Sequence, residues 1–229
     1  MDNFFKNLNS EIAKNLYENY RLFGNNFQNY FYEISMRSIS DISLNSNSAI
    51  VNSDKIVLNY FNDQVLVDFE KKAVFYIKVN DSKNDSKNFL IESEVDLFSS
   101  SLILHYLLNA DGTPLRGEWI SYRELPDGLF YSNTIPGILK PLINKYENDG
   151  KLFLKKAVQM GGVINDNFKF SAVIYPFKMF PTLIIFEEKS EEFDADARVL
   201  FDRSASHYLK TDIVKTMVVF IVKKFITDE

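Results

Sequence analysis

Three short β-like runs crowd into the first third of the chain: Lys55–Phe61, Val65–Phe69 and Ala73–Val79. Between them lie only Asn62-Asp63 and Glu70-Lys71-Lys72, separators of hairpin size. This pattern constrains the fold more than any other, because it predicts a three-stranded antiparallel meander. A meander of this kind has one apolar face, and that face needs a cover from elsewhere in the chain.

Helical patterns supply candidates for the cover. Phe4, Phe5, Leu8, Ile12 and Leu16 recur at helical spacing, so residues 3–22 read as an amphipathic helix ended by Gly24. Residues 27–40 carry aromatics on both sides of any period and take no assignment. The Ser/Asn-rich stretch 43–53 reads as a loop. The repetitive DSKNDSKN at 81–88 reads as an exposed loop. It does not divide the chain, since the meander needs its cover. Residues 1–229 are therefore expected to form one domain: a helix and meander over 1–80, the loop, and a core over 94–215.

The second half mixes both periods. Helices are expected over 94–109, from Pro136 to about Tyr146, over 152–160, and from an N-cap at Thr211 onward. The last buries Ile213, Val214, Met217, Val218, Ile221 and Phe225. Extended pieces are expected at 117–122, 129–131, 168–175, 183–186 and 198–202, with Pro176 and Pro181 in a connection. Ser204–Leu209 reads as a short helical turn. There is no regular βαβ alternation, so the fold class is α+β, antiparallel sheets covered by helices. The 21 Phe and 12 Tyr, against one Trp, must largely fill its core.

Composition removes several functions. No cysteine is present, which excludes disulfides, zinc–thiolate sites and self-ligated iron–sulfur clusters. A net charge of −5 with dispersed lysines and arginines argues against nucleic-acid binding. The opening MDNFFKNLNSEIAKN lacks the apolar core of a secretory signal, and the run Met217–Val222 is too short for a membrane span. A cytoplasmic location, without membrane contact, is expected.

Three segments carry a resemblance: LHYLLNADGTPLRGEWISYRELPDG at 104–128, the stretch from Pro141 to Gly161-Gly162, and EEFDADARVLFDRSASHYL at 191–209. Together they resemble a family of domains of unknown function widespread in anaerobic bacteria and archaea. The chain departs from that family's pattern at Phe186, where Trp is common, and at Asp194, where Pro is common. Members of the family are sometimes joined to iron–sulfur modules of corrinoid-protein type. The resemblance therefore implies a ligand- or partner-binding role in anaerobic, corrinoid or one-carbon metabolism, and names no cofactor.

The usual fingerprints of catalysis are missing: no glycine-rich phosphate loop, no H-E-x-x-H, no G-x-S-x-G. Gly161-Gly162 reads as a helix cap. His105 reads as a core histidine on an apolar helix face. Trp119 reads as a buried anchor. The acidic run Glu187–Asp196 reads as a solvated face rather than a metal site. Two clusters remain. Asp202, Arg203, His207 and Tyr208 place an acid, a base, an imidazole and a phenol within seven positions. Arg123 and Glu124 stand ahead of a Leu-Pro-Asp-Gly turn. These six residues are the candidate polar cleft, suited to a small anionic ligand, with His207 as acid or base and Arg203 as anion clamp in an enzymatic variant. The competing reading makes the same residues caps and turn ties. The two differ in whether Arg123 or Glu124 lies beside Arg203 and His207.

Overall fold

The computed structural model describes residues 26–79 and 89–227. The helix expected at 3–22 and the 81–88 loop lie outside the described residues. Strands β1 (Ala49–Asn52), β2 (Lys55–Tyr60), β3 (Asp63–Asp68), β4 (Ala73–Val79) and β5 (Phe89–Glu94) form a five-stranded antiparallel sheet in sequence order. The expected meander is its centre. Pairing of Tyr60 with Asp63 leaves only Phe61 and Asn62 in the turn, and Phe61 sits in the left-handed region at φ 53°. That conformation is rare for a bulky side chain. It directs the Phe61 N–H to the Pro176 carbonyl of the second sheet at 2.9 Å.

Residues 26–35 are helical, and α1 (Ile39–Ser46) precedes β1. The stretch read as a loop at 43–53 is thus helix end plus strand. Its polar residues are cap groups: the Ser46 hydroxyl donates to the Ile42 carbonyl at 2.6 Å, and Asn47 ends the helix at φ 54°.

Helix α2 (Leu97–Asn109) starts at Asp96, whose carboxylate accepts the N–H groups of Phe98 and Ser99, each at 3.0 Å. It is buried around nearly its whole circumference, from Phe98 to Leu104 and from Tyr106 to Leu108. Its serine hydroxyls are absorbed locally, Ser100 by Val95 O and Ser101 by Leu97 O. Tyr106 stacks on Phe177 with centroids 4.1 Å apart and donates to Ser46 O at 2.6 Å.

The second sheet runs β6-β10-β9-β8-β7, all antiparallel, from β6 (Trp119–Ser121), β7 (Val163–Ile164), β8 (Phe170–Phe177), β9 (Phe180–Glu187) and β10 (Asp196–Asp202). Helices α3 (Gly128–Tyr131), α4 (Ile135–Tyr146), α5 (Gly150–Gln159) and α6 (Thr211–Ile226) complete the chain. Residues 129–131, expected to be extended, are therefore helical. Pro176 and Pro181 lie inside β8 and β9, not between them. The turn is Lys178-Met179, and Pro176 falls where the strand register shifts, a position that needs no N–H. The final helix is capped by Lys210, not Thr211, whose hydroxyl instead donates to Pro126 O at 2.5 Å. All six residues expected to face inward on α6 are buried.

The aromatic load is core. Tyr146, Phe153, Phe186 and Phe225 meet where α4, α5, β9 and α6 converge, with Phe153 stacked 5.1 Å from Phe225 and 5.5 Å from Phe186. The fold is α+β, two antiparallel sheets and their helices joined in a single domain. Among the described residues, no helix is long and apolar enough to cross a membrane.

Candidate functional site

Strand β10 hands the chain to the site. Its last residues pair with β6 as Leu200 with Ser121, Phe201 with Ile120 and Asp202 with Trp119. Two of the segments that carry the family signature, 104–128 and 191–209, are therefore hydrogen-bonded neighbours. From this ladder a seam of side-chain ties extends along the loop at 111–118.

Asp202 anchors the seam at 3 % exposure. Its carboxylate accepts the N–H groups of Arg116 at 3.0 Å, Gly117 at 2.7 Å and Ser204 at 2.9 Å, and the Ser204 hydroxyl at 2.7 Å. Burial alone would raise its pKa, but these donors outweigh burial and hold it below the usual carboxylate value. Arg203 donates its N–H to Glu118 O at 2.9 Å, and its Nε lies 2.5 Å from the Glu118 carboxylate. In the 3-10 turn Ala205–His207, the His207 Nδ1 sits 2.7 Å from Asp111 Oδ2 and 3.1 Å from Thr113 Oγ1. Burial pushes Asp111 up, yet the hydrogen bonds from His207 and Thr113 bring it below its ordinary value. Tyr208 is fully buried and donates to Thr113 O.

Glu124 closes a capping box at the 3-10 turn Tyr122–Glu124, accepting the Ser121 N–H and hydroxyl, each at 2.8 Å. Those bonds, led by the backbone one, lower its pKa, and the charge of Arg203 lowers it further. Glu124 and Arg203 are thus within electrostatic reach of one another. Arg123 is exposed in the same turn.

The concavity lies just past this seam. A groove of about 570 Å³ is lined by Pro126, Asp127, Phe130 and Tyr131 on one wall. Ser206, Lys210, Thr211 and Asp212 line the other. Besides the Thr211–Pro126 bond, the Tyr122 hydroxyl donates to Thr211 O at 2.9 Å and ties the walls together. Gly128 permits the sharp bend: a Cβ there would lie 2.0 Å from the Tyr122 carbonyl oxygen. The six residues chosen from sequence build the flank of the groove rather than its lining. Asp127, Phe130, Lys210 and Asp212 were not among them. The sequence offers one signal for Phe130 that went unused, an aromatic between Gly128 and the polar run Ser132-Asn133-Thr134.

The remaining candidates resolve as structure. His105 lies on α2 with its ring 4.6 Å from that of Tyr30. Burial lowers its pKa to about 4, against a smaller opposing pull from Asp212. Gly161, at φ 78°, caps α5 with its N–H on Val158 O at 2.9 Å. Half of the acidic run is paired: Glu187 with Arg198 at 2.6 Å, Asp194 with Lys189 at 3.6 Å, and Glu188 with the Gly150 N–H at 2.7 Å. Trp119 is only partly buried, packed on Val173, Leu183 and Ile185 across the outer face of the second sheet. The expected core anchor is therefore an outer-face residue, because the β6 register turns Ile120, not Trp119, inward. Asp54, Asp68 and Glu70 come close enough to share an ion, but Lys55 already lies 2.8 Å from Asp54 and 3.5 Å from Asp68.

Fold and seam define a class: a two-sheet α+β protein in which two signature loops lock together beside a groove. The family described as Domain of unknown function (DUF3786) matches residues 38–224, and the chain belongs to it. No curated protein and no solved structure matches the chain.

Proposed function

We propose that this protein is a binding module, and that the groove between the Leu-Pro-Asp-Gly turn and the start of α6 seats its ligand or partner. One observation carries the reading. The flanks of both signature segments supply opposite walls of a single concavity. The ties of Asp202, Tyr208, Glu124 and Thr211 hold those walls without filling the space between them. A volume of about 570 Å³ suits a small ligand or one or two side chains of a partner. The family resemblance extends the proposal to a cytoplasmic module of anaerobic, corrinoid or one-carbon metabolism that takes residues 1–229 as one domain and does not bind nucleic acid.

Site-specific photo-cross-linking in the native host tests it. Probes placed at Phe130 and Ser206, one on each wall, should capture the same adduct. A probe at Leu44, exposed but remote in sequence from both walls, should not. Equal capture at Leu44, or different adducts from the two walls, would remove the groove from the argument.

A second reading rests on the His207–Asp111 pair. A carboxylate on Nδ1 fixes the imidazole tautomer and leaves Nε2 to exchange a proton, the arrangement of a general acid–base. The Arg203 guanidinium is engaged by Glu118, so His207 would carry this chemistry without a free clamp. His207→Gln separates the readings: it abolishes conversion of a captured compound if catalysis occurs, and leaves capture unchanged in either case.

A further inference from the structure

Among the described residues, the charges and rings around the groove are not balanced. Two carboxylates, Asp127 and Asp212, line it against one ammonium, Lys210. Neither carboxylate has a side-chain hydrogen bond or ion pair among the described residues. The field of Asp212 is felt inside the protein, where, after burial, it adds to the upward shift of Tyr122. Asp127 sits in the left-handed region at φ 59°, a conformation that aspartate and asparagine adopt more readily than most other side chains. Next to it, Phe130 projects with 79 % of its surface exposed, flanked by the exposed Leu129 and Tyr131. Three consecutive exposed apolar residues rimmed by charge mark an interaction surface. The chain already shows what these rings attract: Lys215 Nζ stands 5.0 Å from the Tyr131 centroid. Among the described residues, no such cation stands over Phe130.

We infer that the groove receives a basic side chain, Arg or Lys, presented by a partner polypeptide. This rests on the binding reading above and adds to it the chemistry of the occupant. The cationic head enters between Asp127 and Asp212, where carboxylates and ring faces act in the same direction. The aliphatic stem and its neighbours cover Leu129 and Phe130. An open groove with a highly exposed aromatic lip suits a chain segment better than a small ion, because a small ion would leave the lip bare.

The test is an NMR titration of the full chain with a capped Gly-Leu-Arg-Leu-Gly peptide, its glutamate and citrulline counterparts, and methylguanidinium. The arginine peptide should shift the ring signals of Phe130 and Tyr131. Asp127→Asn and Asp212→Asn should each weaken it about threefold or more. Asparagine suits the left-handed position, so Asp127→Asn preserves the turn. Phe130→Ala should weaken it further. If the citrulline or glutamate peptide binds the same rings equally well, the cation inference falls while the groove stands. If methylguanidinium binds as tightly as the peptide, the occupant is a small cation and the polypeptide is wrong. If no peptide moves either ring, the inference fails. The cross-linking result then decides independently whether the groove itself survives.

Discussion

At Asp202, four donors converge on one carboxylate, three of them backbone N–H groups that no neighbouring side chain could replace. Asp202→Asn keeps the shape but turns one acceptor into a donor facing a donor. The expected cost is about 2–3 kcal/mol in urea unfolding at pH 7, the range for a buried bond to a charged group. The pH dependence has a definite sign. The folded-state pKa lies below the unfolded value, so the stabilisation is fully present above the unfolded pKa, about 4. It is lost as pH falls through the folded value. The gap between wild type and variant should therefore shrink in acid. A gap that stays constant down to about pH 2 would mean that the carboxylate's charge contributes nothing. The Arg203–Glu118 and His207–Asp111 pairs are both largely exposed, and pairs of that kind contribute little to stability.

Among the elements, β6 is the short one on which the seam depends, and its tryptophan faces outward. Trp119→Ala removes a partly buried ring from the small cluster of Val173, Leu183, Ile185 and Leu200. The expected loss is about 1–2 kcal/mol, below the roughly 3–5 kcal/mol of a core ring. A melting experiment showing the larger figure would place Trp119 in a more closed environment than the sheet's outer face. The same element shows what could be read in the sequence. The meander was legible because its separators are too short for anything but hairpins. Helices α2 and α6 were legible through their apolar period. Helices α1 and α3 were not: α1 is short and rich in serine and asparagine, the residue types that mark loops, and the four residues of α3 are too few to show a period. For the seam, the chemical density of Asp202–Tyr208 was visible. Its partners were not, because Arg116 and Gly117 take part through backbone N–H groups, which carry no residue signature. The groove was hidden for a different reason. Phe130 and Asp212 are far apart in the chain and meet only after β6 has paired with β10.

For the molecule as a whole, the burial of α2 on all sides has a kinetic consequence. A helix with one wet face can detach and redock while the rest of a protein stays folded. Helix α2 has no such face, with ten of its thirteen residues buried. Its amides can meet solvent only when the packing on every side has come apart, so they should report the opening of the entire structure. In native-state hydrogen exchange, the amides of Leu102–Leu108 should share one opening free energy, equal to that from chemical denaturation. The short edge strand β7 should exchange through smaller fluctuations. If α2 exchanged faster than the central strands β8 and β9, the protein would possess a partly open form in which this helix is free. As built, it is the last segment to lose its protection and a clock for the lifetime of the native state.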